Sequence, residues 1–135
     1  MSYWLLKSDP DTYSYNDLER EKRTVWDGVR NNQALGFLRR MHKGDLALIY
    51  HSGKDRHIAG LAEIVSGPYP DPEDDDEKLV VVDIRAKRRV QQPVTLAQIK
   101  ADPVFADFHL VRMSRLSVMP VSAALWKKLT KLCGL

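Results

Sequence analysis

Residues 79–90, with the sequence LVVVDIRAKRRV, carry the most regular pattern in the chain. From Val80 to Ala86 apolar side chains occupy every second position, and the positions between them become basic towards Lys87. Because side chains alternate between the two faces of a β-strand, this pattern predicts a strand with one buried face and one basic face. The other predicted elements lie on both sides of this strand in the chain.

Shorter patterns predict four further strands and four helices around it. The predicted strands cover residues 3–7, 46–50, 57–66 and 115–119. The predicted helices are capped by Ser14, begin after Asn31 or Asn32, run from Thr95 to before Pro103, and are capped by Ser122 near the C-terminus. We interpret residues 21–29 as a loop. Because strands and helices do not alternate regularly, we expect a single α/β (α+β) domain over residues 1–135, with a mixed or antiparallel sheet that curls like a barrel.

The distribution of charge is uneven. The chain of 135 residues has 21 Lys and Arg against 18 Asp and Glu, but six of the acidic residues fall within Asp71–Glu77. The remainder is therefore clearly basic. This favours a polyanionic partner through attraction to phosphate groups, although ordinary solubility would also explain the charge.

Several classes of protein are disfavoured by what the sequence contains. No apolar run reaches the roughly 18 residues of a membrane helix, and residues 1–4 do not resemble a signal peptide, so we expect a cytoplasmic protein without a membrane partner. Cys133 is the only cysteine, and the four histidines lack metal-ligand spacing. We find no phosphate loop or nucleophile motif, and we expect no metal, no cofactor and no enzyme activity.

The segment 24–32, TVWDGVRNN, is the strongest candidate for a binding site. The face of Trp26 could stack on a flat base, the amide of Asn31 could bond to a base edge, and Arg30 could pair with phosphate. The alternative is that Trp26 only fills a gap beneath a loop. Composition and spacing alone do not choose between these interpretations.

Four other polar positions are weaker candidates for a pocket. Tyr50, His51 and Ser52 end a predicted buried strand, where side chains often line a pocket mouth. Tyr69 lies between two prolines and could close a cage against Trp26. In each case the alternative is an incidental residue of a turn.

Two groups of charged residues could also have a function. Arg85, Lys87, Arg88 and Arg89 could form a ridge that follows a phosphate backbone, or they could be a solvated strand face. Lys7 and Glu63 could act together as base and acid if burial shifted both pKa values. A structural ion pair between them is the preferred interpretation.

Several blocks of sequence resemble the EVE domain family. They include YWLLKSDPD at 3–11, WDGVRN at 26–31, IAGLAE at 58–63, YPDP at 69–72 and SRLSVMPV at 114–121. The resemblance covers nearly the whole chain in order. It implies a PUA-like fold, a mixed β pseudo-barrel surrounded by short helices. It also implies a relation to YTH domains, which bind a methylated adenine of RNA in an aromatic cage.

The resemblance also assigns roles to individual residues. Trp26 would be one wall of the cage. YTH cages contain a second tryptophan that this chain does not offer in a matching loop, so Tyr69 or Leu116 would replace it, or the cage would be more open. Arg115 would lie near phosphate groups. The remaining pocket residues implied by the resemblance are Lys7, Ser8, Asn31, Tyr50, His51, Ser52 and Ser117.

The leading prediction of function is therefore a nucleic-acid-binding module that reads a modified nucleobase. The resemblance points to modified cytosine in DNA, and a methylated base in RNA is also compatible. One alternative is an amidohydrolase acting on acylated cytidine-type nucleosides, as in the related ASCH branch, with Lys7 and Glu63 as catalytic groups. Another is a protein-interaction module that acts through Asp74, Asp75 and Asp76. The sequence leaves the oligomeric state open and is compatible with a monomer.

Overall fold

The computed structural model describes residues 1–135. It contains a six-stranded sheet, five α-helices and one 3₁₀ helix. The strands are β1 (Tyr3–Ser8), β2 (Arg23–Trp26), β3 (Leu46–His51), β4 (His57–Pro70), β5 (Val80–Thr95) and β6 (Val118–Val121). The α-helices are α1 (Tyr15–Glu21), α2 (Asn32–Leu38), α3 (Leu96–Ala101), α4 (His109–Arg112) and α5 (Ala123–Cys133), and the 3₁₀ helix covers Pro103–Phe105.

The sheet has the strand order β2-β5-β4-β3-β1-β6. Only β1 and β3 are parallel, and every other neighbouring pair is antiparallel. Trp26 at the end of β2 and Ser117 just before β6 line the same cleft, although their strands are at opposite edges of the sheet. The sheet must therefore curl back on itself, which confirms the predicted α/β class and PUA-like pseudo-barrel.

The local signals for helix starts are confirmed. Ser14 and Thr95 each form a capping box, in which the cap side chain and the residue three positions later satisfy each other's backbone N–H groups. Asn31 and Ser122 cap α2 and α5 through their side-chain oxygens. These short polar residues define where each helix begins.

Gly60 lies where the backbone of β4 approaches α1 closely, as the glycine within this predicted strand suggested. A Cβ atom at this position would overlap the ring of Tyr15. The hydroxyl of Tyr15 donates to the carbonyl of Leu61 at 2.7 Å, so the ring is fixed against the strand. The register between β4 and β5 shifts at the same place.

Several predicted elements need correction: β4 continues to Pro70, β5 continues to Thr95, α4 was not predicted, and two further strands differ. Residues 21–29 are not all loop, because Arg23–Trp26 form strand β2 and pair with residues 82–85 of β5. The last strand begins at Val118 rather than at residue 115. In both cases the strand is defined by a partner that is distant in sequence.

The core is one cluster of 35 buried residues. It contains all three tryptophans, Trp4, Trp26 and Trp126, whereas Leu132 of α5 is 42% exposed. Asp45 is the one buried charged residue. Burial favours the neutral acid, but hydrogen bonds from the Trp4 indole and from the Ser2 and His42 amides outweigh this effect and keep the pKa of Asp45 below its ordinary value.

Candidate functional site

A cleft of about 560 Å³ opens beside Trp26, and its volume falls within the range of small-molecule sites. The end of β1, the loop before α1, the end of β2 and the approach to β6 all contribute to it. Gly28 provides a left-handed turn, with φ of 77°, directly after Trp26. The residues that line this Trp26 cleft are Lys7, Ser8, Asp9, Thr12, Tyr13, Glu21, Thr24, Val25, Trp26, Asp27, Gly28, Val29 and Ser117.

The polar edge of Trp26 is unpaired, like that of Trp126 and unlike that of Trp4. It is 7% exposed, and its indole nitrogen has no hydrogen-bond partner in the protein. The structure leaves no buried side-chain nitrogen or oxygen without a partner, so the Nε1 edge of Trp26 reaches solvent. By contrast, the Nε1 atom of Trp4 donates to Asp45 at 3.0 Å. Trp26 therefore retains a free N–H donor beside the cleft.

Tyr13 is the second aromatic residue of the cleft, and sequence reasoning missed it. Its ring meets Trp26 edge-on, with centroids 6.2 Å apart and planes at 82°. Its hydroxyl donates to Glu21 at 2.5 Å. Burial and this hydrogen bond raise the pKa of Tyr13 to about 12, so the phenol stays neutral. The one sequence feature that could have identified Tyr13 is its position in the loop that follows the SDPD turn at residues 8–11.

Three of the predicted pocket residues join Trp26 in the cleft: Lys7, Ser8 and Ser117. The Ser8 hydroxyl donates to the Tyr13 carbonyl at 2.5 Å and holds that loop in place. The Lys7 amide donates to the Ser117 carbonyl at 2.9 Å, and the Lys7 ammonium donates to the Ser114 carbonyl at the same distance. Burial, and secondarily the charge of Arg56, lower the pKa of Lys7.

Tyr50 and Ser52 lie in a neighbouring cavity of about 350 Å³ rather than in the Trp26 cleft. Lys7 borders both spaces, so they are adjacent. Burial raises the pKa of Tyr50. We call this space the basic cavity, and its lining residues are Lys7, Tyr50, Ser52, Gly53, Arg56, Leu96, Lys100, Leu110, Val111 and Ser114.

Three residues that were predicted to line the base pocket do not line the Trp26 cleft: Asn31, His51 and Leu116. The Asn31 side chain accepts from the Ala34 amide at 3.0 Å as the cap of α2. The Nε2 atom of His51 accepts from the Tyr15 amide at 2.9 Å, so its side chain is committed to the start of α1. Leu116 is 4% exposed within the core.

Tyr69 does not close a cage against Trp26. Trp26 pairs with Val82 on β5, whereas the Tyr69 hydroxyl donates to Asp83 at 2.5 Å. Val82 and Asp83 are consecutive in a strand, so their side chains point to opposite faces of the sheet. Tyr69 and Trp26 therefore lie on opposite faces, and the placement of Tyr69 as a cage wall is corrected.

Most of the predicted phosphate-binding residues already have acidic partners. Arg30 pairs with Asp74 at 3.2 Å. Arg85 and Lys87 both contact Glu63, the latter at 4.0 Å. Arg88 and Arg115 are exposed and form no ion pair. The basic ridge of β5 thus has much of its charge neutralised, and it shares the sheet face of Asp83 rather than that of Trp26.

Lys7 and Glu63 do not meet, which removes the proposed acid–base pair of an amidohydrolase. Lys7 is opposite Tyr50, whereas Glu63 is opposite Leu46, near the other end of β3. Four residues along a strand span about 13 Å. Glu63 is bound instead to the basic ridge.

The structure also bears on metal sites and on membrane-spanning helices. No group of three or more His, Cys, Asp or Glu side chains is arranged to hold a metal ion. None of the helices has the length and apolar character needed to cross a bilayer.

A family model for the EVE domain matches residues 2–132 of the chain. The chain belongs to the EVE domain family. This EVE domain is 36% identical to thymocyte nuclear protein 1 of Homo sapiens over an alignment of 126 positions that covers 74% of the chain. The match spans 56% of the length of that human protein.

Solved structures of other family members have the same fold. The NMR structure of a Rhodopseudomonas palustris protein is 43% identical, with a TM-score of 0.94 over 99% of this chain and 94% of that one. The crystal structure of human THYN1 in complex with DNA containing 5-methylcytosine is 31% identical, with a TM-score of 0.89 over 98% of this chain and 97% of that one. The PUA-like backbone is therefore shared with a protein that was crystallised on methylated DNA.

Proposed function

We propose that this EVE domain reads a modified cytosine, 5-methylcytosine in DNA, by holding the base in the Trp26 cleft. The observation that carries the proposal is the free indole edge of Trp26, which borders a cleft already flanked by the Tyr13 ring. The human relative crystallised with 5-methylcytosine DNA supports this choice of ligand. The role is binding without catalysis.

The cleft requires the base to leave the duplex. Trp26 is almost fully buried, so a stacked base pair cannot reach its ring. Extruding a base costs a few kcal/mol, and contact with the exposed edge of Trp26 returns only part of that free energy. Further contacts at the base edge and the backbone must supply the remaining free energy, so a partly buried polar cleft suits this task.

The carboxylates of the cleft favour cytosine over thymine. Asp27 lies beside Trp26, is exposed and has no ion-pair partner. Carboxylates accept from the N4 amino group of cytosine, whereas thymine offers a carbonyl oxygen at that position. Since thymine also carries a 5-methyl group, an acceptor such as Asp27 would distinguish 5-methylcytosine from thymine.

Fluorescence polarisation with labelled oligonucleotides tests the proposal. The duplexes differ at one position, which is 5-methylcytosine, cytosine or thymine, and further ligands carry methyladenine in DNA and in RNA. We expect the 5-methylcytosine duplex to bind most tightly and Trp26→Ala to remove that preference. Equal binding of every ligand by the unaltered protein would contradict the proposal, and tightest binding of methylated RNA would assign a different polymer.

A matched control separates loss of the cleft from loss of the fold. Trp126 is buried on α5 and stacks on Tyr3, with centroids 4.5 Å apart, and it does not line the Trp26 cleft. Trp126→Phe should retain the preference for 5-methylcytosine. If Trp126→Phe and Trp26→Ala lose binding equally while both stay folded, Trp26 has no specific role.

A further inference from the structure

The basic cavity lies directly beside the Trp26 cleft. Lys7 borders both spaces, and its ammonium donates to the Ser114 carbonyl on the side of the basic cavity. One path for a polymer that places a base against Trp26 leads past this boundary. The adjacent cavity is therefore positioned for the groups that flank the captured base.

The charge of this cavity is one-sided. Lys7, Arg56 and Lys100 line it, and no carboxylate does. None of the three forms an ion pair, in contrast to Arg30, Arg85 and Lys87. Neighbouring cations without a counter-charge repel one another, and a bound anion would relieve that repulsion.

Backbone contacts hold the two outer cations in place. The Leu96 amide donates to the Arg56 carbonyl at 2.9 Å, which fixes the β3–β4 hairpin against the start of α3. Lys100 lies four residues after Leu96, one turn further along the same helix face. The Nε atom of Arg56 donates to the Gly53 carbonyl at 3.1 Å, and its two terminal nitrogens have no protein partner.

Tyr50 adds a neutral donor to the same cavity. Its side chain is 2% exposed, yet its hydroxyl forms no hydrogen bond within the protein. No buried side-chain oxygen lacks a partner, so this hydroxyl reaches the cavity. A hydroxyl donor among three cations is a donor set typical of phosphate binding.

We propose that Lys7, Arg56 and Lys100 form a phosphate-binding groove for the nucleic-acid strand that flanks the captured base. This inference rests on the proposed function and adds the path of the backbone to it. It assigns phosphate contacts to the hairpin and α3, whereas the sequence offered the β5 ridge, Arg30 and Arg115 as candidates. Phosphate contacts position a protein on nucleic acid without reading sequence, so the groove contributes affinity for methylated and unmethylated strands alike.

The test compares two matched double variants of exposed residues. Arg56→Gln with Lys100→Gln removes one arginine and one lysine from the groove, and Arg88→Gln with Lys87→Gln removes the same pair from the β5 ridge. Dissociation constants for methylated and unmethylated duplexes are measured at salt concentrations between about 50 and 200 mM, a range chosen to expose counterion release. Thermal melting checks that both variants are folded.

We expect the groove variant to weaken binding to both duplexes by the same factor, about tenfold or more. The slope of log Kd against log salt should fall by about 0.9 for each phosphate that the variant no longer neutralises. The ridge variant should change the dissociation constants and the salt slope only slightly. An unchanged slope in the groove variant, or a greater weakening of binding in the ridge variant, would overturn the proposal.

Failure of the groove can be told apart from failure of the base cleft. Trp26→Ala should remove the preference for 5-methylcytosine and leave the salt slope intact. If the unaltered protein shows no preference while the groove variant still lowers the slope, the groove stands and the base reading fails. If the groove variant loses affinity for methylated DNA alone, the groove reads the base and the phosphate assignment is wrong.

Discussion

The ring of Tyr13 meets the ring of Trp26 edge-on, with centroids 6.2 Å apart and an interplanar angle of 82°. The two residues come from different elements, since Tyr13 precedes α1 and Trp26 ends β2. Their contact provides two aromatic sides of one cleft. In the proposed function, Tyr13 takes the place for which the sequence offered Tyr69 or Leu116.

Replacing Tyr13 should weaken binding more than removing its hydroxyl. In the proposed complex the Tyr13 ring contacts the base, and a base–aromatic contact is worth about 1–3 kcal/mol, so Tyr13→Ala should lower affinity for 5-methylcytosine DNA by about fivefold or more. Tyr13→Phe keeps the ring and loses only the hydrogen bond to Glu21, so its affinity should stay close to that of the unaltered protein. Equal losses of affinity in the two variants by fluorescence polarisation would show that the ring contact is not what matters.

Neutralising Asp74 should strengthen binding to nucleic acid. Asp74 holds Arg30 at 3.2 Å, and Arg30 follows the Trp26 cleft closely in sequence. Asp74→Asn keeps an oxygen that can accept from the Asp76 amide, and it frees Arg30 for a phosphate. We expect about threefold tighter binding at low salt, from an exposed pair worth less than about 1 kcal/mol.

Asp75→Asn is the matched control for this effect, because it removes the same charge from the same loop but Asp75 has no ion-pair partner. It should give a smaller increase in affinity. If both variants bind equally more tightly, long-range charge explains the result and the Arg30 pair does not.

Two glycine substitutions should change stability in opposite directions. Gly60→Ala places a Cβ inside the ring of Tyr15, and the resulting overpacking should lower the free energy of unfolding by about 3 kcal/mol. Gly36 lies in α2 with open space where a Cβ atom would be. Because alanine has the higher helix propensity, Gly36→Ala should raise the free energy of unfolding by about 0.8 kcal/mol. Urea unfolding measures the free energy of unfolding of both variants. An unchanged value for Gly60→Ala would contradict the close packing of β4 on Tyr15.

Stability should fall as the solution is acidified below neutral pH. Burial, followed by the charges of His57 and Arg89, lowers the pKa of His51 below its ordinary value near 6.5. The neutral imidazole accepts the Tyr15 amide, so its contribution is present above the unfolded pKa and is lost as pH falls through the folded pKa.

The variant His51→Gln removes this titration and leaves a side chain that can accept a hydrogen bond. Its unfolding free energy should therefore depend less on pH between about 7 and 5, the range around the ordinary histidine pKa. Urea unfolding at both pH values measures the difference. An identical pH dependence in the two proteins would mean that another group titrates.

The fold was largely predictable because most of its elements carry local signals. Alternation defines β5, and the short polar caps Ser14 and Thr95 define two helix starts. Strand β2 was missed because charged residues precede it and its pairing partner in β5 is about 60 residues away. Pairing at long range leaves no periodic mark in so short a segment.

The site was predictable only in part, for a similar reason. Trp26 was singled out from its own segment and Ser8 and Ser117 through family resemblance, and the three share one cleft. Tyr69 was misplaced because neighbouring positions of a strand face opposite sides, so its side depends on register. The pairing of Arg30 with Asp74 and the contact of Tyr13 with Trp26 are tertiary contacts that no local pattern encodes.

The most direct test of the base cleft is the NMR signal of the Trp26 indole N–H in ¹⁵N-labelled protein. The chain has three tryptophans, so three such signals are expected, and Trp26→Phe assigns the one that matters. Addition of a short duplex containing 5-methylcytosine should shift the Trp26 signal and leave that of Trp4, which is bonded to Asp45, in place. If the duplex binds and the Trp26 signal does not move, the base is not held at Trp26.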